Sequence, residues 1–185
     1  MKLIIGLGNP EQEYAHTKHN IGFDFIETWM KSKSYYEDLD ICPGFYSSKS
    51  NDIKLLKPNT GMNNSGVVVR AVAHAIEIEP QDIIIVYDDI DFDIGKFKIS
   101  VNGSTRHNGI KSILANTQDG FTRVRVGIGS PSQDITILDY VLSKFNDHAR
   151  IKIDSLLERL VEVVGVITTD GAGRAMGLYN NKPLI

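Results

Sequence analysis

One cysteine, Cys42, stands in 185 residues, which excludes an intrachain disulfide and any multi-cysteine zinc site and fits a reducing compartment. No apolar run approaches the roughly 20 residues that span a bilayer, so no membrane segment is expected. Residues 1–6 are hydrophobic but too short for the apolar core of a signal peptide, and they run straight into glycines, so they read as a first strand. Cytoplasmic residence is the expectation that follows. An excess of positive charge is missing too, with 20 Lys and Arg against 23 Asp and Glu. A formal net charge of -3 rules out coating nucleic acid through a global positive field and leaves any RNA contact to a local basic patch. A nucleophile-elbow serine, an HExxH helix, an internal repeat and a low-complexity linker are also missing. Direct attack by water, with no metal and no organic cofactor, is then the simplest hydrolytic chemistry open to the chain.

What is present is ordinary globular material, with 42% hydrophobic and 23% charged residues, in a length that suits one domain over residues 1–185. Short β-branched runs at residues 3–7, 53–56, 83–87, 97–99 and 124–128 read as strands. Between them, Ile21, Phe25 and Trp29 recur at helical spacing, as do Val68, Ala71, Val72 and Ala75. Later, Ile153, Leu156, Leu157, Leu160, Val163, Val164 and Ile167 trace one apolar stripe that Asp170-Gly171 ends. This alternation predicts an α/β fold: a single domain with a twisted, mostly parallel (mixed) sheet, helices on both faces, and an antiparallel pair in region 45–56.

Open α/β sheets bind ligands beyond the carboxyl ends of their strands, and the polar clusters of this chain follow its strands. Asn9-Pro10 follows the first, the segment 59–65 the second apolar run, Asp88-Asp89 the third, and His107-Asn108 the strand that holds Lys96. Gly6-Leu7-Gly8-Asn9-Pro10-Glu11 begins like a dinucleotide-binding turn but sets Glu11 where a third glycine should let helix and pyrophosphate approach. Water needs a base, and a neutral imidazole suits that work near pH 7. His19 sits just before the first amphipathic helix, on the rim that carries Asn9. A histidine in a polar loop is more often a cap or a surface residue; a carboxylate such as Asp88 changes this by fixing its tautomer and stabilising the imidazolium. Asn9, Asn63 and Asn108 taken singly read as turn or capping residues, whereas three amides on one rim supply neutral donors and acceptors to a carbonyl, a water and ribose hydroxyls. Lys96 and Lys98 share a strand face, a solvated face or a phosphate contact that Arg106 and Lys111 extend.

Gly6-Leu7-Gly8-Asn9-Pro10 with Tyr14 and His19-Asn20, then Lys57-Pro58 and Met62-Asn63-Asn64-Ser65-Gly66, resemble the signatures of bacterial-type peptidyl-tRNA hydrolases. Tyr87-Asp88-Asp89-Ile90-Asp91, His107-Asn108-Gly109, residues 123–129, Tyr140-Val141-Leu142 and Ala175-Met176-Gly177-Leu178-Tyr179-Asn180 continue the match in order, over nearly the whole chain. The resemblance implies a monomeric esterase that frees tRNA from prematurely released peptidyl-tRNA. His19 is then the proton acceptor, Asp88 its support and Asn9 the sensor of the blocked amino group. Tyr14, Gly61, Met62, Asn63, His107 and Asn108 are implied to hold the substrate's 3′ end and last residue, and Lys96 and Lys98 to meet tRNA phosphates. Three departures stand out. Glu11 replaces a glycine, Gly61 replaces an aromatic residue, and the approach to His107 is shortened to Gly103-Ser104-Thr105-Arg106, where the new guanidinium can grip phosphate or a carboxylate. These changes motivate a second expectation, a paralogue that binds tRNA or other RNA with weakened catalysis.

Overall fold

Leu3 and Ile5 point to one face of the first strand and Ile4 to the other, and all three are fully buried, as a strand covered on both sides requires. The computed structural model describes residues 1–31, 34–48, 52–180 and 182. In it the strands are β1 Lys2–Gly6, β2 Tyr35–Glu37, β3 Phe45–Ser48, β4 Ile53–Leu56, β5 Ile83–Asp89, β6 Phe97–Ser100 and β7 Thr122–Gly127. They form one sheet in the order β2-β3-β4-β1-β5-β7-β6. Strands β4, β1, β5 and β7 run parallel at its centre. Antiparallel pairing is confined to the margins: β2 on β3, β3 on β4, and β6 on β7. The sheet is therefore mixed, with the expected antiparallel pair in region 45–56 at one side. Strand β2, too short to show a pattern, adds an edge that sequence periodicity does not announce.

Helices α1 Ile21–Met30 and α5 Asp147–Asp170 cover the face that carries Ile4, Ile84, Val86, Val124 and Val126. Helices α2 Ser65–Ala75 and α3 Asn108–Asn116 cover the face of Leu3, Ile5, Ile83, Ile85 and Tyr87. The α5 stripe is buried at all seven expected positions. On α2 the inward residues are Ser65, Gly66, Val69 and Val72, so the stripe is rotated from the expected Val68, Ala71, Val72 and Ala75, of which Val72 alone is buried. The helix turns this way because Gly66 seats against α3: a Cβ there would lie 2.0 Å from the Ser112 carbonyl oxygen. Two further helices follow, α4 Ile137–Leu142 and α6 Ala172–Tyr179. Just beyond α6, the Asn180 side chain accepts from Ile99 N (2.7 Å) and donates to Ile99 O (2.9 Å), closing backbone groups on the edge strand β6.

Close packing of α1 sets up the site. A Cβ on Gly22 would sit 2.3 Å from Leu7 N and 2.4 Å from Val86 O, and one on Gly6 would meet Gly22 O at 2.0 Å. With both residues glycine, the helix start lies directly on β1 and β5, and the turn Lys18–Asn20 that precedes it is drawn to the carboxyl ends of those strands.

Candidate active site

The turn Lys18–Asn20 is held from three directions. The chain reverses into it through His16 at φ 60, a left-handed conformation uncommon for a residue with a Cβ, with His16 Nδ1 3.0 Å from Asp24 Oδ1. Lys18 is buried, and its ammonium donates to Ser143 Oγ (2.7 Å) and Lys144 O (2.9 Å) and lies 4.5 Å from the Tyr140 ring centre. Burial lowers its pKa. Asn20 donates through Nδ2 to Asn9 O (2.8 Å) and accepts from Asn9 N at Oδ1 (2.9 Å). Between these anchors only His19 is left to face the strand ends.

Its ring meets Asp88 at the end of β5. His19 Nδ1 lies 2.9 Å from Asp88 Oδ1 and 3.0 Å from Oδ2. Asp88 is 3% exposed and also accepts from His107 Nε2 at 2.9 Å, again on Oδ1. The other nitrogen of His107 takes a long 3.4 Å hydrogen bond from Ile110 N, which makes His107 the N-cap of α3. A nitrogen that accepts carries no proton, so the proton of His107 resides on Nε2 and points at Asp88. By the same logic Nδ1 of His19 donates to the carboxylate. Its Nε2 is then a bare lone pair with no protein hydrogen bond among the described residues. Burial pushes the His19 pKa down, but the Asp88 charge and hydrogen bond reverse this, and the net value lies above the ordinary one. For Asp88, burial raises the pKa while the attraction and hydrogen bonds of His107 and His19 lower it. The partners win, and the carboxyl sits well below the usual range. The ligand-type atoms of His19, Asp88 and His107 lie within 4.8 Å of one another, with the two ring nitrogens that face Asp88 hydrogen-bonded to its carboxylate. The three side chains form one hydrogen-bonded cluster centred on Asp88.

His19 and Asp88 open on a cavity of about 610 Å³ that Lys98, Arg106, Asn108, Arg125, Ile137 and Leu138 also line. Asn9 lies elsewhere. It lines a second cavity of about 280 Å³ with Asn20, Tyr46 and Lys57, so the neighbours His19 and Asn20 contribute to one cavity each. Asn9 Oδ1 accepts from Met62 N at 2.8 Å, which leaves its Nδ2 to donate. Met62 is buried, with its sulfur packed against α3 at Gly109. Asn63 is exposed, Tyr14 half-buried, and neither lines either cavity. Gly61 has φ -58 and ψ 150, and a Cβ built there meets nothing within 4 Å. Lys96 and Lys98 both project into solvent, but Lys98 alone reaches the cavity wall. Arg106, the guanidinium that replaces flexibility before His107, grips a carboxylate: it pairs with Asp91. Glu11 is exposed at φ -67 and ψ 139, a conformation open to any residue, so the turn beside Asn9 does not need the glycine.

Several contributors escape a reading of the sequence. Arg125 Nε donates to Asp89 Oδ2 at 2.6 Å and lines the larger cavity. Arg123 is fully buried, donating to Gly103 O at 2.7 Å and to both oxygens of Asp119, which ties down the segment that leads to His107. Alternation was the available signal: Arg123 and Arg125 share a face of β7 and stand opposite Ser100 and Lys98 of β6. Asn20, inside the motif around His19, is a brace whose role needs the geometry of Asn9 to be seen.

The family model for peptidyl-tRNA hydrolase matches residues 3–184. This chain belongs to the peptidyl-tRNA hydrolase family. Members of the family from Fervidobacterium nodosum and Clostridium acetobutylicum are each 40% identical to it, over 97% of this chain and 96% of the first protein, and over the full length of both chains for the second. The crystal structure of peptidyl-tRNA hydrolase from Acinetobacter baumannii superposes with a TM-score of 0.88 at 28% identity, covering 99% of this chain and 96% of that one. The two structures thus share the mixed sheet described above, at whose carboxyl rim this chain holds the His19–Asp88 pair. No helix among the described residues is long and apolar enough to cross a membrane.

Proposed function

We propose that this chain hydrolyses the ester that joins a peptide, or an N-blocked aminoacyl group, to tRNA, with His19 drawing a proton from the attacking water. One observation carries the reading. The His19 ring is pinned at Nδ1 by a buried carboxylate and bare at Nε2, on the wall of a cavity large enough for a terminal nucleoside and an amino acid. Asp88 stabilises the imidazolium as it forms. Asn108, exposed at the start of α3, faces the same cavity and is placed to hold the substrate by its amide. Asn9 lines the second cavity, so on this reading the blocked end of the substrate reaches into it while the ester stays at His19, and Asn9 Nδ2, with Oδ1 already committed to Met62 N, donates to the carbonyl that a blocked amino group carries. A free ammonium has no acceptor to offer it, and this asymmetry is the basis for sparing ordinary aminoacyl-tRNA. Lys98 and Lys96 meet phosphates, a contact that reads no sequence and suits many tRNAs. On this reading the enzyme works as a cytoplasmic monomer without metal or cofactor. Similarity to hydrolases along the full chain and an intact base favour turnover over a paralogue that only binds RNA.

Hydrolysis of N-acetylated and free aminoacyl-tRNA at two salt concentrations tests the proposal. The blocked form alone should be cleaved, with an apparent affinity that falls as salt rises. Each lysine removed should flatten the log-log salt slope by about 0.7 to 0.9 per phosphate contact. Tight binding of the blocked substrate with no acyl release, under single-turnover conditions, would instead establish the binding paralogue.

The open space at Gly61 gives a second expectation. Gly61→Phe places an aromatic face on the rim without backbone strain, and stacking of a terminal base on it is worth about 1 to 3 kcal/mol. KM should fall at least several-fold with kcat nearly unchanged; an unaltered KM removes Gly61 from the substrate path.

A further inference from the structure

His107 bonds to the same oxygen of Asp88 that His19 uses, and the reaction outlined above gives it no task. Its ring stands 4.9 Å from that of His19 at 52°, and 4.9 Å from that of Tyr87 at 57°. Both of its nitrogens are engaged, Nε2 with Asp88 and Nδ1 with Ile110 N, so no nitrogen is left for substrate. The other charged groups around the pair have partners of their own. From β5 and β7, Asp89 is joined to Arg125; from β7, Arg123 is held by Asp119; at the cavity mouth Asp91 is joined to Arg106. The Lys18 ammonium, next to His19 in the chain, is turned to Ser143 and Lys144. Burial pushes the Tyr87 phenol up to about 12, which keeps it neutral. Asp88 is therefore the charge that His19 feels most directly, and His107 is the only other side chain bonded to it among the described residues.

We infer that His107 is a positioning residue for the reaction: it clamps the shared carboxylate in place and, by drawing on Oδ1, limits how strongly His19 holds a proton. The inference rests on His19 as the base of the proposed hydrolysis. A carboxylate that receives two N–H donors at one oxygen divides its charge between them. With His107 withdrawn, the whole carboxylate turns to His19 and binds the imidazolium more tightly, leaving a smaller share of the ring in the form that can accept a proton at neutral pH. His107 so keeps a buried carboxylate from making the base too hard to deprotonate, and it does this from the N-cap of the helix whose first residue is Asn108.

Two substitutions separate the clamp from the cap. His107→Asn keeps an N-cap group for Ile110 N but is too short to reach Asp88, whereas the Nε2 of His107→Gln falls where the ring Nε2 was. Ring NMR titration of His19, which does not depend on turnover, should show its midpoint about one pH unit higher in H107N and close to the parent in H107Q. The acidic limb of kcat/KM on N-acetylated aminoacyl-tRNA should move in parallel. A midpoint unchanged in H107N, or displaced equally in both variants, overturns the inference. So does a ring nitrogen spectrum of the unsubstituted protein that places the His107 proton on Nδ1, a result independent of whether either variant folds. If the NMR midpoints shift as stated but no form cleaves the ester, the fault lies in the assigned reaction and not in the coupling of His107 to His19.

Discussion

His19→Ala is expected to slow single-turnover cleavage of N-acetylated aminoacyl-tRNA by about 10² to 10⁴-fold, the usual contribution of a positioned base, while substrate binding and the cooperative melt persist. The two effects separate because Asp88 has a second partner. With the His19 ring gone, Oδ1 still accepts from His107 Nε2, so the buried carboxylate is not left bare, and the turn stays anchored by Lys18 on Ser143 and Lys144 and by Asn20 on Asn9. A free carboxylate in such a place would cost several kcal/mol; one that keeps one of its two partners costs less. Undiminished ester cleavage by the variant would remove His19 from the mechanism. Collapse of the melt together with activity would show that the pair is first a structural tie.

The fold was legible wherever a period of side chains maps onto a buried face. The seven-residue stripe of α5 and the apolar runs of β1, β4 and β5 fixed an α/β sheet with helices on both sides, because burial on two faces leaves no polar alternation to misread. Legibility failed where contact, not pattern, decides. The rotation of α2 follows from Gly66 against the Ser112 carbonyl, a contact between residues 46 apart along the sequence that no local window contains. In the site, Asp88 and Asn9 were readable as residue types that follow strands, and His19 as one just before a helix. Their partition between two cavities was not, since Asn20 braces the Asn9 backbone beside the second cavity while its neighbour His19 lines the first. The pairing of Arg106 with Asp91 was one of two outcomes the sequence left open, and it turns a cation that looked free for phosphate into part of the cavity mouth.

Asp88→Asn should reduce kcat by about 10 to 10³-fold, because a carboxylate beside an imidazole moves its pKa by about 1 to 3 units and that much stabilisation of the forming imidazolium is withdrawn. The loss is graded, since both N–H donors converge on Oδ1. An amide with its oxygen at that position still accepts from both rings, so the His19 tautomer survives and mainly the charge is lost. The pH dependence tells the two contributions apart. In the unsubstituted protein the His19 pKa is raised above the ordinary value of about 6.5, so with His19 as the proposed base cleavage is expected to speed up only as pH climbs past that raised value. For stability the sign is opposite. A raised histidine stabilises the fold below its unfolded pKa, and this contribution is lost as pH rises through the folded one. The depressed Asp88 contributes above the ordinary carboxylate range and is lost as pH falls. Catalysis by the proposed base would therefore proceed in the state where the ion pair stabilises the protein less. In the asparagine variant the acidic limb of kcat/KM should move to lower pH, opposite to the displacement expected on shortening His107, while the alkaline plateau drops. A limb that keeps its position in Asp88→Asn would mean that another group sets the protonation of His19, and the carboxylate would lose its assigned role.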